Sequence, residues 1–273
     1  MTNTTSDQVH AQVWANQKTV ASYKDRNTFL DAGEEAGYAM LAPQLKGAPI
    51  LDLGIGAGRT IPMLTSLSSD YVGIDYSTEM VELARKQYPG FDLRTGDARD
   101  LSAFPDNHFQ LVMFSHNGID CVDHEGRQQV LKEAMRVLKP GGHFFYATLN
   151  QDGVGRRFRP WQIESSFADF FKPGKVVRAI KDVLIVPRRL RNYIKGRKLW
   201  REEHGWSMAP IATHDFTLIM HYISLDATLD EVRRHGFEPA PVVLDSGEGL
   251  PVPPGSKTDH IFWFQVIARK PLA

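Results

Sequence analysis

The most constraining feature of the sequence is a short apolar run that ends in a cluster of glycines. Residues 49–53 read Pro-Ile-Leu-Asp-Leu, and Gly54, Gly56 and Gly58 follow at alternate positions. The run predicts a buried strand, and the glycines predict a tight turn whose backbone can approach a ligand closely. A helix after such a turn points its free N–H groups at that ligand. The segment therefore predicts a nucleotide-cofactor site.

A regular alternation of strands and helices surrounds this turn. Such alternation is typical of βαβ units and of a parallel sheet covered by helices on both faces. Two final strands flank a Gly/Pro-rich loop and predict an antiparallel hairpin at the sheet edge. The fold class is therefore α/β, a Rossmann-like and mostly parallel sheet. Strands are predicted at 50–53, 71–75, 91–95, 110–115, 143–149, 217–224, 240–244 and 260–268, and helices at 59–67, from 77 onward, at 125–138 and at 225–235.

The chain divides into four segments. Residues 1–46 are a predicted helical lead-in, and residues 47–150 are the cofactor-binding half of the sheet. Residues 151–212 are rich in basic and aromatic side chains and break the alternation, which predicts an inserted lid. Residues 213–273 resume the alternation and are expected to complete the sheet.

Charge, cysteine content and hydropathy exclude several classes of protein. The 273-residue chain has 32 Lys and Arg against 32 Asp and Glu, so no overall field favours nucleic acid or a membrane. The single cysteine, Cys121, excludes an intrachain disulfide and a cysteine-rich metal site. The polar N-terminus does not look like a signal peptide, and no stretch approaches the roughly 18 apolar residues that span a bilayer. We therefore expect a cytoplasmic protein with a small-molecule partner and no transmembrane segment.

Three aspartates distinguish between nucleotide cofactors. A dinucleotide fingerprint places its third glycine where this chain has Arg59. Asp52 precedes the turn, where a carboxylate would repel a pyrophosphate but suits a ligand with sulfonium and ammonium groups. Asp75 and Asp97 close the next two strands, where they suit ribose hydroxyls and an adenine amine. Because the carboxyl ends of parallel strands share one edge, the three predict S-adenosylmethionine; the alternative is that each only caps a turn.

At these motifs the sequence resembles the class I S-adenosylmethionine-dependent methyltransferases. The resemblance covers about residues 50–150 and, more loosely, 225–270. Residues 52–58 resemble the first family motif, 72–75 the second and 96–98 the third, and 136–142 resemble the turn before the fifth strand.

The resemblance also implies contacts for individual residues. Gly54 and Gly56 would contact the amino acid part of the cofactor, and Tyr76 would flank the base together with Met80. Tyr23 is a candidate cover for the cofactor, with a core aromatic as the alternative. The candidate cofactor-binding residues are Tyr23, Asp52, Gly54, Ile55, Gly56, Asp75, Tyr76, Met80, Asp97, Ala98 and Ser115.

Catalytic candidates follow the fourth and fifth strands. A hydroxyl acceptor is helped by a general base, and His116 is our first choice for it; the alternative is a loop histidine bonded to backbone. Asn117 emerges beside His116, and Asn150 could orient an acceptor. Asp120 is a further candidate. With Asp123 and His124 it also raises the question of Mg²⁺, which we do not favour because those two residues equally suit a helix start.

The lid is expected to determine the acceptor. Its basic stretch, Lys172 to Arg201, suits an acidic acceptor, a membrane surface or a solvated face. Its aromatic residues suit stacking on a sugar ring or on a flat aromatic acceptor, and a helix at 176–186 could pack against a second subunit in a homodimer. Secondary candidates for acceptor contact are His204, Trp206, His214, His221 and Tyr222.

The sequence thus predicts an O-methyltransferase that acts on a hydroxyl of a small metabolite, with a saccharide as the preferred acceptor. Three alternatives stay open. They are an N-methyltransferase of a small amine, a non-catalytic S-adenosylmethionine-binding module and a dinucleotide-dependent reductase.

Overall fold

The computed structural model of the chain describes residues 6–14, 30–163, 172 and 174–272. The strands in these ranges form a seven-stranded sheet and a three-stranded sheet. In chain order they are β1 (Ile50–Leu53), β2 (Tyr71–Asp75), β3 (Asp92–Thr95), β4 (Phe109–Phe114), β5 (Leu138–Leu149), β6 (Arg201–Glu203), β7 (Trp206–Pro210), β8 (Ile219–Ile223), β9 (Val242–Asp245) and β10 (Trp263–Arg269). The helices are α1 (Ser6–Trp14), α2 (Ala32–Leu45), α3 (Ile61–Leu67), α4 (Thr78–Gln87), α5 (His124–Val137), α6 (Val154–Arg157), α7 (Val176–Leu184), α8 (Val186–Gly196) and α9 (Leu225–Arg234).

The large sheet has the strand order β3-β2-β1-β4-β5-β10-β9. Strands β1 to β5 pair in parallel, and β10 runs antiparallel to both β5 and β9. This confirms the predicted α/β class with an antiparallel edge. The order reverses between β1 and β4, so the carboxyl ends of those two strands open the crevice in which open α/β sheets bind ligands.

Helices cover both faces of the large sheet. On one face α5 and α9 pack their apolar residues against the sheet, and on the other face α2, α3 and α4 do so. Helix α2 lies very close to β5, because a Cβ on Gly37 would be 2.3 Å from Cζ of Phe145. Only glycine allows this approach, which holds the N-terminal helix over the sheet.

Side-chain caps fix where four helices begin, and one of these caps is Asp31 at the start of α2. The hydroxyl of Ser77 accepts from the Met80 N–H at 3.3 Å, which starts α4 as the sequence predicts. Asp123 accepts from the Gly126 N–H at 2.8 Å and starts α5. Ser224 caps α9 in the same way. None of the helices among the described residues is both long and apolar enough to cross a membrane.

The small sheet corrects one prediction about the segments. Its order is β6-β7-β8, and β8 pairs antiparallel with β7 from Ile219 opposite Pro210 to Ile223 opposite Trp206. Residues 219–223 were expected to complete the large sheet, but they belong with strands of the lid. A single parallel bridge between Asn150 and Ile223 connects them to the body. All five β8 residues are buried, so their apolar pattern indicates a strand without indicating its partner.

A second correction concerns β5. The Pro-Gly-Gly sequence at 140–142 was expected to precede the strand, yet β5 begins at Leu138 and runs through it. Gly141 supplies the positive φ of 78° at this point. Reciprocal backbone bonds of Gly141 and Gly142 to Lys270, each 2.9 Å, extend the pairing with the chain after β10.

Candidate cofactor and acceptor site

The glycine turn after β1 leaves open space at its centre. Gly54, Gly56 and Gly58 have φ values of +64°, +54° and +91°, a region that side-chain-bearing residues rarely adopt. A Cβ on Gly54 would also lie 2.7 Å from the ring of Phe114. A Cβ on Gly56 would meet no heavy atom within 4 Å. The turn therefore exposes backbone to a ligand at Gly56, and Ile55 between the glycines is buried.

Asp75 lies at the end of β2, directly beside this space. One carboxylate oxygen accepts from the Gly56 N–H at 2.9 Å and the other from the Ser77 N–H at 2.8 Å. Burial raises the pKa of Asp75 to about 6, although the two backbone hydrogen bonds act to lower it. Each oxygen keeps a further lone pair. The carboxylate can therefore hold the turn and still accept hydrogen bonds from a ligand.

Asp52 is placed differently from the sequence expectation. Its side chain is fully buried beneath the turn, where Oδ2 accepts from the Thr60 hydroxyl at 2.5 Å and the Tyr71 hydroxyl at 2.9 Å. Burial raises the pKa of this carboxyl to about 7. Asp52 thus joins α3 to β2 and does not present an open charge at the mouth of the turn. Its Oδ1 has no hydrogen-bond partner within the described part of the chain, so this is the atom that a ligand could still satisfy.

The remaining candidates along β2 and β3 differ in exposure. Tyr76 is 42% exposed and follows Asp75 at the same edge. Asp97 is held by Arg99, with 2.7 Å between Oδ2 and Nη2. Burial acts to raise the pKa of Asp97, but the hydrogen bonds from Arg99 outweigh it and the pKa lies below its usual value. Ala98 packs at the margin of the core. Met80, which the resemblance places beside the base, is only 2% exposed.

A buried ion pair that the sequence did not reveal lies over the turn. The two terminal nitrogens of the Arg59 guanidinium each lie 2.8 Å from an oxygen of Glu34, and Ser115 donates to Glu34 at 2.5 Å. Arg59 also contacts the Ser115 hydroxyl directly. These bonds join α2, the glycine turn and the end of β4. Asp31 caps α2 by accepting from the Glu34 N–H at 2.8 Å, but no local sequence signal indicates the Glu34–Arg59 pairing.

His116 and Asn117 follow β4 in a strained conformation. Their φ values are +52° and +60°, and two consecutive left-handed non-glycine residues cost roughly 1–3 kcal/mol each. His116 is exposed, and its ring meets the ring of Trp263 edge-on with 6.2 Å between centroids. Asn117 is buried, and its Oδ1 has no partner among the described residues. Such strain is typical of functional loops, and this turn directly follows β4 at the edge that carries the glycine turn, so it is a candidate for acceptor contact.

Trp263 is a wall of the site that sequence reasoning missed. Its indole N–H donates to Asp31 at 2.9 Å, and the Gln265 amide donates to the same oxygen at 2.9 Å. These bonds fix the start of β10 against the N-terminus of α2. The indole ring is thereby held opposite His116.

Asp120 is structural, which corrects its proposed catalytic role. It is fully buried, 2.7 Å from a terminal nitrogen of Arg127, and it accepts from the Thr148 hydroxyl at 2.8 Å and the Leu149 N–H at 2.7 Å. Arg127 also pairs with Glu231 at 2.9 Å, with both side chains buried. Burial raises the pKa of Asp120 to about 7, partly offset by Arg127. The carboxylate is saturated by the protein and cannot reach an acceptor.

Asn150 is also structural. Its amide donates to the backbone carbonyls of Thr258 at 2.7 Å and Ile261 at 3.1 Å, and its oxygen accepts from the Asp152 N–H at 3.0 Å. The amide has no freedom to orient an acceptor. Within the described ranges, no group of three or more His, Cys, Asp or Glu side chains is arranged to hold a metal ion. Tyr23, the predicted cover of the cofactor, lies outside the described residues.

The secondary acceptor candidates serve mainly to pack the lid on the body. His124 stacks on Trp206 with 4.0 Å between centroids, and its Nδ1 is 3.1 Å from Nε2 of His221. His221 and Tyr222 are fully buried. His214 packs edge-on against Trp14, and His204 is exposed at the turn between β6 and β7. These aromatic groups are therefore mostly committed to packing within the protein.

The strand order, the glycine turn and the carboxylate that ends β2 together define a class I methyltransferase fold. Residues 50–142 match the family described as "Methyltransferase domain". This match supports the resemblance of that segment to the class I S-adenosylmethionine-dependent methyltransferases. S-adenosylmethionine is the cofactor of this family. The open space at Gly56 leaves room for this ligand, and the adjacent Asp75 carboxylate can accept hydrogen bonds from it.

The chain is also similar to individual methyltransferases of known sequence or structure. A probable S-adenosylmethionine-dependent methyltransferase of Mycolicibacterium smegmatis is 28% identical over 50% of this chain and 51% of its own length. The phthiotriol/phenolphthiotriol dimycocerosates methyltransferase of Mycobacterium tuberculosis is 35% identical over 38% of this chain and 39% of its own. The chain thus spans about half the length, or less, of these curated relatives. The Burkholderia thailandensis 1,6-didemethyltoxoflavin-N1-methyltransferase, solved with bound 1,6-didemethyltoxoflavin and S-adenosylhomocysteine, shares the fold at a TM-score of 0.56 with 11% identity. The match covers 97% of this chain and 87% of that chain.

Proposed function

We propose that this protein transfers a methyl group from S-adenosylmethionine to a hydroxyl oxygen of a small acceptor. The observation that carries the proposal is the shared edge of β1, β2 and β4. It brings together the open turn at Gly56, the carboxylate of Asp75 and the strained His116–Asn117 turn. This arrangement provides a cofactor surface and an acceptor surface on neighbouring strands.

The cofactor side uses the groups that still have hydrogen-bonding capacity. Asp75 would accept the ribose hydroxyls, since its oxygens are fixed by backbone N–H groups and keep free lone pairs. Asp52 Oδ1 would receive a cationic group through the floor of the turn. Tyr76 would cover the base, and Asp97 would lie at its amine edge with Ala98. When bound, S-adenosylmethionine supplies an electrophilic methyl group that leaves sulfur as the acceptor oxygen bonds to it.

On the acceptor side, His116 would take the hydroxyl proton. Its imidazole is exposed and lies near the ring of Trp263. The side-chain amide oxygen of Asn117, Oδ1, is available to orient the acceptor. Trp263 supplies an apolar wall, which excludes water from one side of the reacting groups. Acid–base help of this kind typically contributes about 10²–10⁴-fold to the rate.

The class of acceptor that we now favour differs from the saccharide that the sequence analysis preferred. The preference for a saccharide rested on lid aromatics, but Trp200 and Trp206 are engaged in packing with Tyr193 and His124. The Mycobacterium tuberculosis relative is named for phthiotriol and phenolphthiotriol dimycocerosates, and so for lipid alcohols. We therefore place a hydroxylated apolar acceptor ahead of a saccharide.

A labelled-methyl screen tests the proposal. The protein is incubated with S-adenosylmethionine carrying a labelled methyl group and with matched sets of long-chain alcohols and phenols, saccharides, and amines. Label is expected in the alcohol or phenol products. Label confined to amines would refute O-methylation, and label confined to saccharides would restore the sequence interpretation.

The role of His116 is tested with a substrate found in that screen. His116→Ala is expected to lower kcat by roughly 10²-fold or more while leaving S-adenosylhomocysteine affinity unchanged. His108→Ala is the matched control, because His108 precedes β4 at the opposite edge of the sheet. Undiminished turnover of His116→Ala would eliminate the base.

A further inference from the structure

Helices α7 and α8 form a surface of the lid that the proposed reaction does not use. One side of α8 is fastened to the protein: the Asn192 amide donates to the backbone carbonyl of Asp215 at 3.0 Å and contacts the Thr217 hydroxyl at 3.1 Å. Arg189 pairs with the same aspartate, at 3.3 Å. Gly196 allows close approach to Ile219, whose side chain a Cβ there would meet at 2.8 Å. Helix α8 is thus seated on the protein by one side and presents its other side outward.

The outward side carries large apolar residues at helical spacing. On α7, Val177, Ile180 and Leu184 recur at three- and four-residue intervals and therefore share one face. Leu184, the last residue of α7, is 72% exposed. On α8, Leu190 and Ile194 are separated by one turn and are also exposed. Scattered apolar residues on a surface need no explanation, but five on two neighbouring helices form a patch.

Basic residues border this patch. Between residues 172 and 200 the sequence has 10 lysines and arginines against one acidic residue, Asp182. At 100° per residue, Lys181 lies 40° beyond Val177 on α7, and Arg191 lies 60° beyond Ile194 on α8. Lys195 continues the basic side of α8, and all three side chains are exposed. Long basic side chains can extend around an apolar face and place their charges in a plane above it.

We propose that the α7–α8 surface, defined by these apolar and basic residues, docks on the surface of an anionic lipid bilayer. A helix with an apolar face flanked by Lys and Arg lies in the bilayer interface, with the apolar side chains among the acyl chains and the cations at the headgroups. Each basic residue near an anionic membrane adds about 1 kcal/mol of attraction. The charge of the surface thus selects an anionic bilayer.

Two other occupants fit less well. A second copy of this chain seated face to face would bring the two basic borders together, and like charges at a contact oppose association. A nucleic acid would satisfy the basic residues but not the apolar ones, because its affinity comes chiefly from phosphate contacts. Of these three occupants, the lipid interface is the one that uses both parts of the surface at once.

Vesicle co-sedimentation tests this proposal without any turnover, so its failure is distinguishable from failure of the proposed methyl transfer. The full chain is mixed with phosphatidylglycerol-containing vesicles and with pure phosphatidylcholine vesicles. Binding is expected to the anionic vesicles and to weaken with added salt. Lys181→Gln, Arg191→Gln and Lys195→Gln should each weaken binding about fivefold, and Leu184→Glu should weaken it at least about tenfold.

Matched variants elsewhere on the surface serve as controls. Lys132→Gln and Leu272→Glu change an exposed lysine and a 66% exposed leucine outside the lid, and they should bind as the wild type does. Circular dichroism and S-adenosylhomocysteine affinity establish that each variant is folded. Absence of anionic vesicle binding, or equal losses in the control variants, would overturn the proposal. A dimer that Leu184→Glu dissociates, without vesicle binding, would assign the surface to a second copy instead.

Discussion

Asp75 offers a direct test of how this fold holds its cofactor. Its carboxylate accepts N–H groups of Gly56 and Ser77 on opposite oxygens. Asp75→Asn replaces one carboxylate oxygen with an amide nitrogen and removes the negative charge. The amide nitrogen cannot accept the hydrogen bond of the backbone N–H that it then faces. The lost charge-assisted bond is worth about 1.5–3 kcal/mol, so S-adenosylhomocysteine should bind roughly 10- to 150-fold more weakly.

The pH dependence of binding follows from the same carboxylate. Burial raises the pKa of Asp75 to about 6 in the free protein, and hydrogen bonds from a ligand favour the ionised form. Affinity should therefore be constant well above pH 6 and fall as the pH drops through that value. At about pH 5 only about a tenth of the free protein carries the ionised carboxylate, which predicts roughly tenfold weaker binding than at about pH 8.

Calorimetric titration of the wild type and of Asp75→Asn at both pH values separates the contributions. A pH dependence that persists in Asp75→Asn and disappears in the double variant Asp52→Asn/Asp75→Asn would come from Asp52, because burial raises the pKa of Asp52 to about 7. Asp92→Asn is the control, because Asp92 is exposed and begins β3, whereas Asp75 lies beside Thr95 at the end of that strand. A wild-type affinity that is flat between these pH values, or Asp75→Asn binding within about twofold of the wild type, would refute the reasoning.

Two further predictions concern stability and are measured by urea unfolding. Arg127→Met leaves Asp120 and Glu231 buried without their cation and should cost about 3–5 kcal/mol. Since the pKa of Asp120 is raised, the loss should be smaller at low pH, where the carboxyl is protonated; the exposed Lys132→Met should change little, and equal effects would contradict this account. Gly37→Ala should destabilise despite a helix-propensity gain of about 1 kcal/mol, because overpacking against the adjoining ring typically costs about 1–3 kcal/mol. A net gain would show that the ring yields.

Much of the large sheet could be predicted from the sequence because its signals are local. An apolar run, a glycine turn and Ser77 as a helix cap each specify nearby backbone, and the structure confirms the strands and helices they predict. Their alternation then determines that the sheet is mostly parallel. The position of Asp75 at a strand end follows from the same local pattern. Its contact with Gly56 is a consequence of two strand ends meeting at one edge.

The rest depends on which distant groups meet. The sequence places Asp120 beside the acceptor loop, but it does not show that Arg127 and Thr148 saturate the carboxylate. It shows Arg59 only as the residue at the position where a dinucleotide fingerprint has its third glycine. It does not show that Arg59 pairs with Glu34, which lies 25 positions away. Such pairings carry no periodicity, since either partner alone is an ordinary charged residue.

The sequence by itself determined the glycine turn, the alternation of elements and the acidic residues that close the strands. These features depend on backbone freedom and on side-chain period, which are properties of neighbouring residues. Only the tertiary structure decided that Asp52 lies beneath the turn, that β8 joins the lid, and that α7 and α8 expose an apolar face bordered by basic residues. The physical reason is that burial and pairing are set by the packing of distant segments, which a local pattern does not encode.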